Sequence, residues 1–318
     1  MQLKSFSLKT KDGFEHWINR WIPDSDVEIK GIIQLHHGLS EHSLRYDRFG
    51  SILADNGYIL NAFDMRGHGK TGEISQQNGT GLMGKIADKN GHDIVVEDLH
   101  EITEAVKKDY PGVPVVIMGH SFGSFVTQGF IENYGDTVDA CILCGTAGPR
   151  RLMIGASKFI VKIIKAFSGN NKYVKLLEKL AFGSYNKGIE NGGKNAWLSR
   201  DELSVQMYEM DNWCGIPLLA SFYYDMTSLL NKIHKSSNIK KINKNLPILF
   251  IYGTKDPVGS YGKTIEKLIR IYKKNNIKNI SVKKYEGARH EPLNEINKEE
   301  VESDIINWIS TTLTENKK

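Results

Sequence analysis

Residues 115–135 read VVIMGHSFGSFVTQGFIENYG. Four apolar residues, Val115 to Met118, run into Gly119-His120-Ser121-Phe122-Gly123, and a helix-like pattern follows. An apolar run that ends on glycine and restarts as a helix marks a strand–turn–helix unit. Within it Ser121 has two readings. It can be a helix N-cap, a position serine favours, or a nucleophile exposed on a sharp turn. The string alone does not separate them, because a bare Gly-x-Ser-x-Gly arises by chance in many chains.

The same rhythm runs to either side. Residues 1–22 alternate loosely around Lys11-Asp12-Gly13, as in a β-hairpin. GIIQLHHG (31–38), YILNAFD (58–64), VPVVIMG (113–119) and DACILCG (139–145) read as strands. Between them, residues 45–56, 93–110 and 122–134 read as helices, the second with Val95, Leu99, Ile102 and Val106 on one face. After Gly145 the rhythm breaks, and 149–240 is helical or irregular with no clear strand. It resumes with LPILFIYG (246–253), a helix over 261–274, ISVKKYEG (280–287) and a final helix over 296–313. Apolar strands alternating with helices predict an α/β fold with a parallel sheet covered on both faces. The expected organisation is a core of residues 1–148 and 241–318, with 149–240 inserted as a helical cap.

Ligands of such sheets bind beyond the carboxyl ends of the strands. Ser121, Asp256 (in GTKDPV) and His290 (in EGARHEP) each follow a predicted strand, in that order. A serine hydroxyl needs a base near neutral pH, histidine supplies one, and a carboxylate fixes the imidazole tautomer. Asp225 and Asp304 compete for the carboxylate role, but one lies in the cap and the other on the last helix. After Ser121 the chain has only His234 and His290, and His234 is in the cap. Ser121, Asp256 and His290 are therefore the expected catalytic residues. Two backbone amides should hold the developing oxyanion: that of Phe122, after the nucleophile, and that of Leu39, in the glycine turn after the first core strand.

Other chemistry finds little support. His36, His37 and His42 lack the carboxylate or histidine partners at the spacing a metal site needs, so no metal is expected. Of the three cysteines, Cys141 and Cys144 sit inside a predicted buried strand, which favours a structural role and a reducing compartment. FDMRGHGKT (63–71) matches neither a P-loop nor a dinucleotide fingerprint and is expected to be a turn. The net charge of +5 is too dispersed to suggest nucleic acid. The N-terminus has no apolar h-region and no stretch is long enough to span a membrane, so a cytoplasmic protein is expected.

Taken together, LHHGLSEH (35–42), DMRGHGKT (64–71), ADKNGHDIVVEDL (87–99), GHSFGS (119–124), YGTKDP (252–257) and YEGARHE (285–291) resemble the α/β-hydrolase superfamily. Within it they are similar to the monoacylglycerol lipase and bacterial lysophospholipase group, as is WLSRDE (197–202) in the cap. The resemblance implies an eight-stranded, mostly parallel sheet, a helical cap and no cofactor. It also implies hydrolysis of a monoacyl lipid ester through an acyl-enzyme. Ser40 stands where the family's His-Gly-x-Gly turn has its second glycine. A short-chain carboxylesterase or aminopeptidase of the same fold is the nearest alternative, and a non-catalytic binding module a more distant one.

RLMIGASKFIVKIIKAF (151–167) carries Lys158, Lys162 and Lys165 on one helical side, with Ile160, Ile163, Ile164 and Phe167 mostly opposite. The expected arrangement turns the apolar side down over the pocket and the lysines to water. Peripheral contact with an anionic membrane is the other use of such a helix.

Overall fold

The computed structural model describes residues 1–189 and 193–315. Chain order is β1 (Gln2–Lys9), β2 (Glu15–Ile22), β3 (Gly31–His36), α1 (Asp47–Asp55), β4 (Tyr58–Phe63), α2 (Gly69–Gln77), α3 (Gly91–Asp109), β5 (Val115–His120), α4 (Phe122–Tyr134) and β6 (Ala140–Cys144). It continues with α5 (Arg151–Ser168), α6 (Lys175–Phe182), α7 (Glu202–Met210), α8 (Ala220–Ile233), α9 (Ser236–Ile239), β7 (Ile248–Gly253), α10 (Lys263–Lys274), β8 (Ile280–Tyr285) and α11 (Lys298–Glu315).

The strands form one eight-stranded sheet in the order β1-β2-β4-β3-β5-β6-β7-β8. β2 pairs antiparallel with both β1 and β4, and all other pairings are parallel. β3, β4, β5, β6 and β7 are buried at every residue, which explains why they read as unbroken apolar runs. Alternate residues feed two layers. Ile32, Ile117, Leu143 and Phe250 pack with α3, α4, α8 and α10 on one face. Leu35, Met118, Ile142 and Ile251 pack with α1 and α11 on the other. Cys141 belongs to the first layer and Cys144 to the second, so this C-x-x-C points to opposite faces of the sheet and cannot grip one ion.

Two elements differ from expectation. FDMRGHGKT is not a simple turn, because α2 begins within it at Gly69. Its buried residues are Gly69, Thr71, Gly72 and Ser75, so the helix carries no apolar stripe to announce it. The Asp64 carboxylate accepts the Lys70 N–H at 2.7 Å, satisfying a first-turn amide. The second difference is α5, which lies the other way round. Ile154 and Val161 are its buried residues, Lys158 and Lys165 lean over the Tyr224 ring, and Leu152 and Phe167 are about 90% exposed. The lysine stems cover apolar surface while their ammonium groups sit on an aromatic face.

Candidate active site

The turn between β5 and α4 holds Ser121 at φ 51°, ψ −118°, a conformation L-residues avoid. It costs about 1–3 kcal/mol, stored where the surroundings over-determine it. Here they do: the Ser121 N–H donates to Cys144 O at 2.9 Å, and the Ser124 hydroxyl donates to Ser121 O. A Cβ on Gly119 would strike the Gly123 carbonyl and Thr127, and one on Gly123 would strike the His36 and His37 carbonyls. Both glycines are thus required by the crossing of β3, β5 and α4.

The Ser121 hydroxyl points at His290, with Oγ 2.8 Å from Nε2. His290 Nδ1 lies 3.0 Å from Asp256 Oδ1, which also accepts the Val258 N–H at 2.8 Å. His290 and Asp256 are buried. The three residues expected from three separate strand ends therefore meet in one hydrogen-bonded line. His290 is further braced from the insertion. Its ring lies 4.9 Å from that of Trp197, its N–H donates to Trp197 O at 3.4 Å, and the Glu291 N–H donates to Leu198 O at 2.8 Å. Next to it, the Arg289 guanidinium donates to the carbonyls of Ala196 and Ser199.

The amides of Leu39 and Phe122 have no hydrogen-bond acceptor among the described residues, and both residues border the same cavity as Ser121 and His290. In the turn that presents Leu39, Ser40 has φ 51°, in the left-handed region that favours glycine. Contacts from the insertion hold it. Ser40 O accepts the Tyr208 hydroxyl at 3.0 Å and the Gly215 N–H at 2.8 Å, and Ser40 Oγ donates to Ile216 O at 3.2 Å.

Behind this turn lies a buried charge network. Glu41 accepts from the Gly38 N–H, the Tyr46 hydroxyl and Arg45, and Arg45 makes a two-pronged pair with Glu291 at 2.8 Å on each side. His120 Nδ1 lies 3.2 Å from Glu41, and its Nε2 is 3.2 Å from His290 O. Burial would lower the His120 pKa, but Glu41 and Glu291 more than offset it, so the imidazole is raised above its ordinary 6.5. Burial opposes ionisation of Glu41 as well, yet the Arg45 charge and the His120 contact hold its carboxyl well below the ordinary range. By contrast, burial, followed by the neighbouring His37, drives His36 and His68 down to about 3, so both are neutral core imidazoles. His37 is spent locally: Nδ1 is 2.7 Å from Gly38 O, and Nε2 accepts the Met65 N–H at 3.0 Å.

Ser121 opens into a cavity of about 780 Å³, bordered from the core by Leu39 and Phe122 and from the insertion by Ile154, Phe182, Tyr223 and Leu230. Sequence reasoning missed Trp197, Tyr208 and the Glu41–Arg45–Glu291–His120 network. The only signal was WLSRDE, which proves to be the strand of backbone gripping the His290 loop.

A mostly parallel sheet with this strand order, a serine on a strained strand-to-helix turn after β5, and an acid and a histidine after β7 and β8 are the marks of an α/β-hydrolase. The chain belongs to the hydrolase family described as serine aminopeptidase, S33, whose pattern matches residues 27–297. It is 26% identical over 296 residues to a monoacylglycerol lipase of Mycolicibacterium smegmatis, covering 92% of each chain. Identity to the human monoglyceride lipase is 25%, over 83% of this chain and 80% of that one. Among solved structures, a thermostable carboxyl esterase from Bacillus coagulans in complex with glycerol superposes with a TM-score of 0.88 at 26% identity, covering 98% of this chain and 99% of that one.

Proposed function

We propose that this chain is a serine hydrolase that cleaves carboxylic esters of monoacyl lipids, monoacylglycerols or lysophospholipids, through an acyl-enzyme. The observation that carries the reading is the Ser121–His290–Asp256 line at the floor of a largely apolar cavity of about 780 Å³. His290 Nε2 takes the Ser121 proton as Oγ attacks the ester carbonyl, and the tetrahedral oxyanion sits against the Leu39 and Phe122 amides. His290 returns the proton to the leaving alcohol. Asp256 holds the Nδ1–H and stabilises the imidazolium. Water, deprotonated by His290, then attacks the acyl carbonyl and releases the fatty acid and Ser121.

Residues 149–240 act in this reading as a cap that selects the substrate, and no cofactor takes part. Exposed Leu152, Phe159, Phe167 and Leu180 on α5 and α6 support peripheral contact with a lipid surface; no helix among the described residues is long and apolar enough to cross a membrane. Cosedimentation with anionic vesicles, lost in Phe159→Ser/Phe167→Ser, tests that contact. The aminopeptidase alternative needs a free carboxylate for the substrate's ammonium group. Among the described residues the carboxylates on the cavity, Glu41, Glu178 and Glu291, are each already paired with a cation. Ser121→Ala should abolish both monoolein hydrolysis and fluorophosphonate labelling while leaving the circular dichroism spectrum unchanged. Residual hydrolysis by that variant would sink the proposal.

A further inference from the structure

His42 lies just beyond the oxyanion turn, and Asp211 and Cys214 lie on the loop that follows α7. The three bring an imidazole nitrogen, a carboxylate oxygen and a thiol within 4.8 Å of one another. His42 Nε2 is 2.8 Å from Asp211 Oδ2. Asp211-Asn212-Trp213-Cys214 is a tight turn, in which the Cys214 N–H donates to Asp211 O at 3.0 Å and the Trp213 N–H to Asp211 Oδ1 at 2.8 Å. Two donors on one turn with two residues between them follow the spacing of zinc-binding knuckles, and the third donor comes from a distant segment, as in those sites. The Trp213 ring meets the His42 ring edge-on at 5.2 Å. His42 is buried, whereas Asp211 and Cys214 are half-buried and give a path for entry.

The surroundings suit a cation. Arg45 bears on Cys214 electrostatically, but it is already paired with two carboxylates, Glu41 and Glu291. His42 Nδ1 is buried with no partner among the described residues, so the ring can carry its proton there and turn the Nε2 lone pair toward an ion. Nitrogen, oxygen and sulfur donors together match Zn²⁺, a borderline-soft ion that accepts all three.

We propose that His42, Asp211 and Cys214 form a Zn²⁺ site that ties the loop after α7 to the oxyanion turn. On binding, the Cys214 thiol gives its proton to the buffer, the His42 proton resides on Nδ1, and one coordination position is left to water. The ion stabilises the seam that already holds Ser40 through Tyr208 and Gly215.

The test uses the full chain, reduced and stripped with a chelator. Titration with zinc chloride by calorimetry should show one Zn²⁺ per chain, and the thermal midpoint should rise with added zinc. Cobalt chloride should give a thiolate-to-cobalt charge-transfer band in the near ultraviolet. Cys214→Ser should abolish that band. Cys214→Ser and His42→Gln should each weaken zinc binding by about 100-fold or more, since losing a donor costs at least as much as losing a residue that merely orients one. Cys214→Ser changes one atom and decides the question if His42→Gln fails to fold. A parent chain that takes up no zinc overturns the proposal, as does zinc binding undiminished in Cys214→Ser. None of these readouts needs turnover, so their failure leaves the esterase reading untouched.

Discussion

Trp197 lays its ring 4.9 Å from the His290 imidazole, tilted by 36°, and its carbonyl accepts the His290 backbone N–H. The His290 imidazole is thus clamped between Asp256, which follows β7, and a tryptophan from the segment between β6 and β7. Trp197→Ala should leave Ser121, His290 and Asp256 in place but loosen the imidazole. A displacement near 1 Å in a reacting group costs about 10²-fold. The expected signature is a kcat reduced by that order, with fluorophosphonate labelling slowed in parallel. Unchanged kcat would show that Asp256 alone positions the ring.

Tyr208 reaches the oxyanion turn from α7. Its hydroxyl donates to Ser40 O and accepts the Gly215 N–H, each at 3.0 Å. Tyr208→Phe removes both bonds, at about 1 kcal/mol each. In the proposed mechanism the Leu39 amide serves only the oxyanion, so the loss should fall on kcat with KM nearly constant. Steady-state kinetics on a soluble ester would show the split; a change confined to KM would contradict it.

Arg45 neutralises Glu41 and Glu291 in a buried pocket. Arg45→Met strands two carboxylates there, so the chain should lose about 3–5 kcal/mol of stability, readable as a lower urea midpoint. Glu291→Gln should cost less, because Arg45 keeps Glu41.

Stability should also fall on mild acidification. His36 and His68 are held down to about 3, and His234 to about 4, all chiefly by burial. Each is neutral in the fold, whereas the unfolded chain takes up a proton below the ordinary 6.5. Their contribution is therefore complete above pH 6.5 and is lost as the pH falls toward 4. His120, raised in the fold, works the other way: its contribution is complete below 6.5 and fades as pH rises through its folded value. Glu132, raised to about 9 chiefly by burial, works in the same sense as His120, but the three lowered histidines outnumber the two. Scanning calorimetry should show the midpoint falling from pH 6.5 downward; a flat profile to pH 4.5, where carboxylates begin to protonate, would contradict this.

What the sequence made legible follows from how far each signal reaches along the chain. Ser121 and Asp256 are legible because each follows a strand whose full burial writes itself as an apolar run, whereas His290 follows the half-exposed β8 and is legible from its place after that last strand. α2 could not, because its buried residues are glycine, threonine and serine. α5 was read upside down, since Lys158 and Lys165 count as solvent-seeking until Tyr224 is known to lie beneath them. Glu41, Arg45 and Glu291 are strung over some 250 positions, and only the closed fold makes them neighbours. The bond between His42 and Asp211 is hidden for the same reason, the two being 169 positions apart.

The segment from Ala196 to Arg200 belongs by sequence to the roof, yet it grips the loop that carries His290. In the proposed reading two jobs, choosing the substrate and steadying the base, would therefore be inherited together. An engineer who transplants a foreign roof to change specificity must carry these five residues over with the body, or import a donor roof whose own brace fits. A swap that replaces Ala196–Arg200 together with the rest of 149–240 would separate the imidazole from its support and yield a well-folded chimera with a new pocket and little turnover.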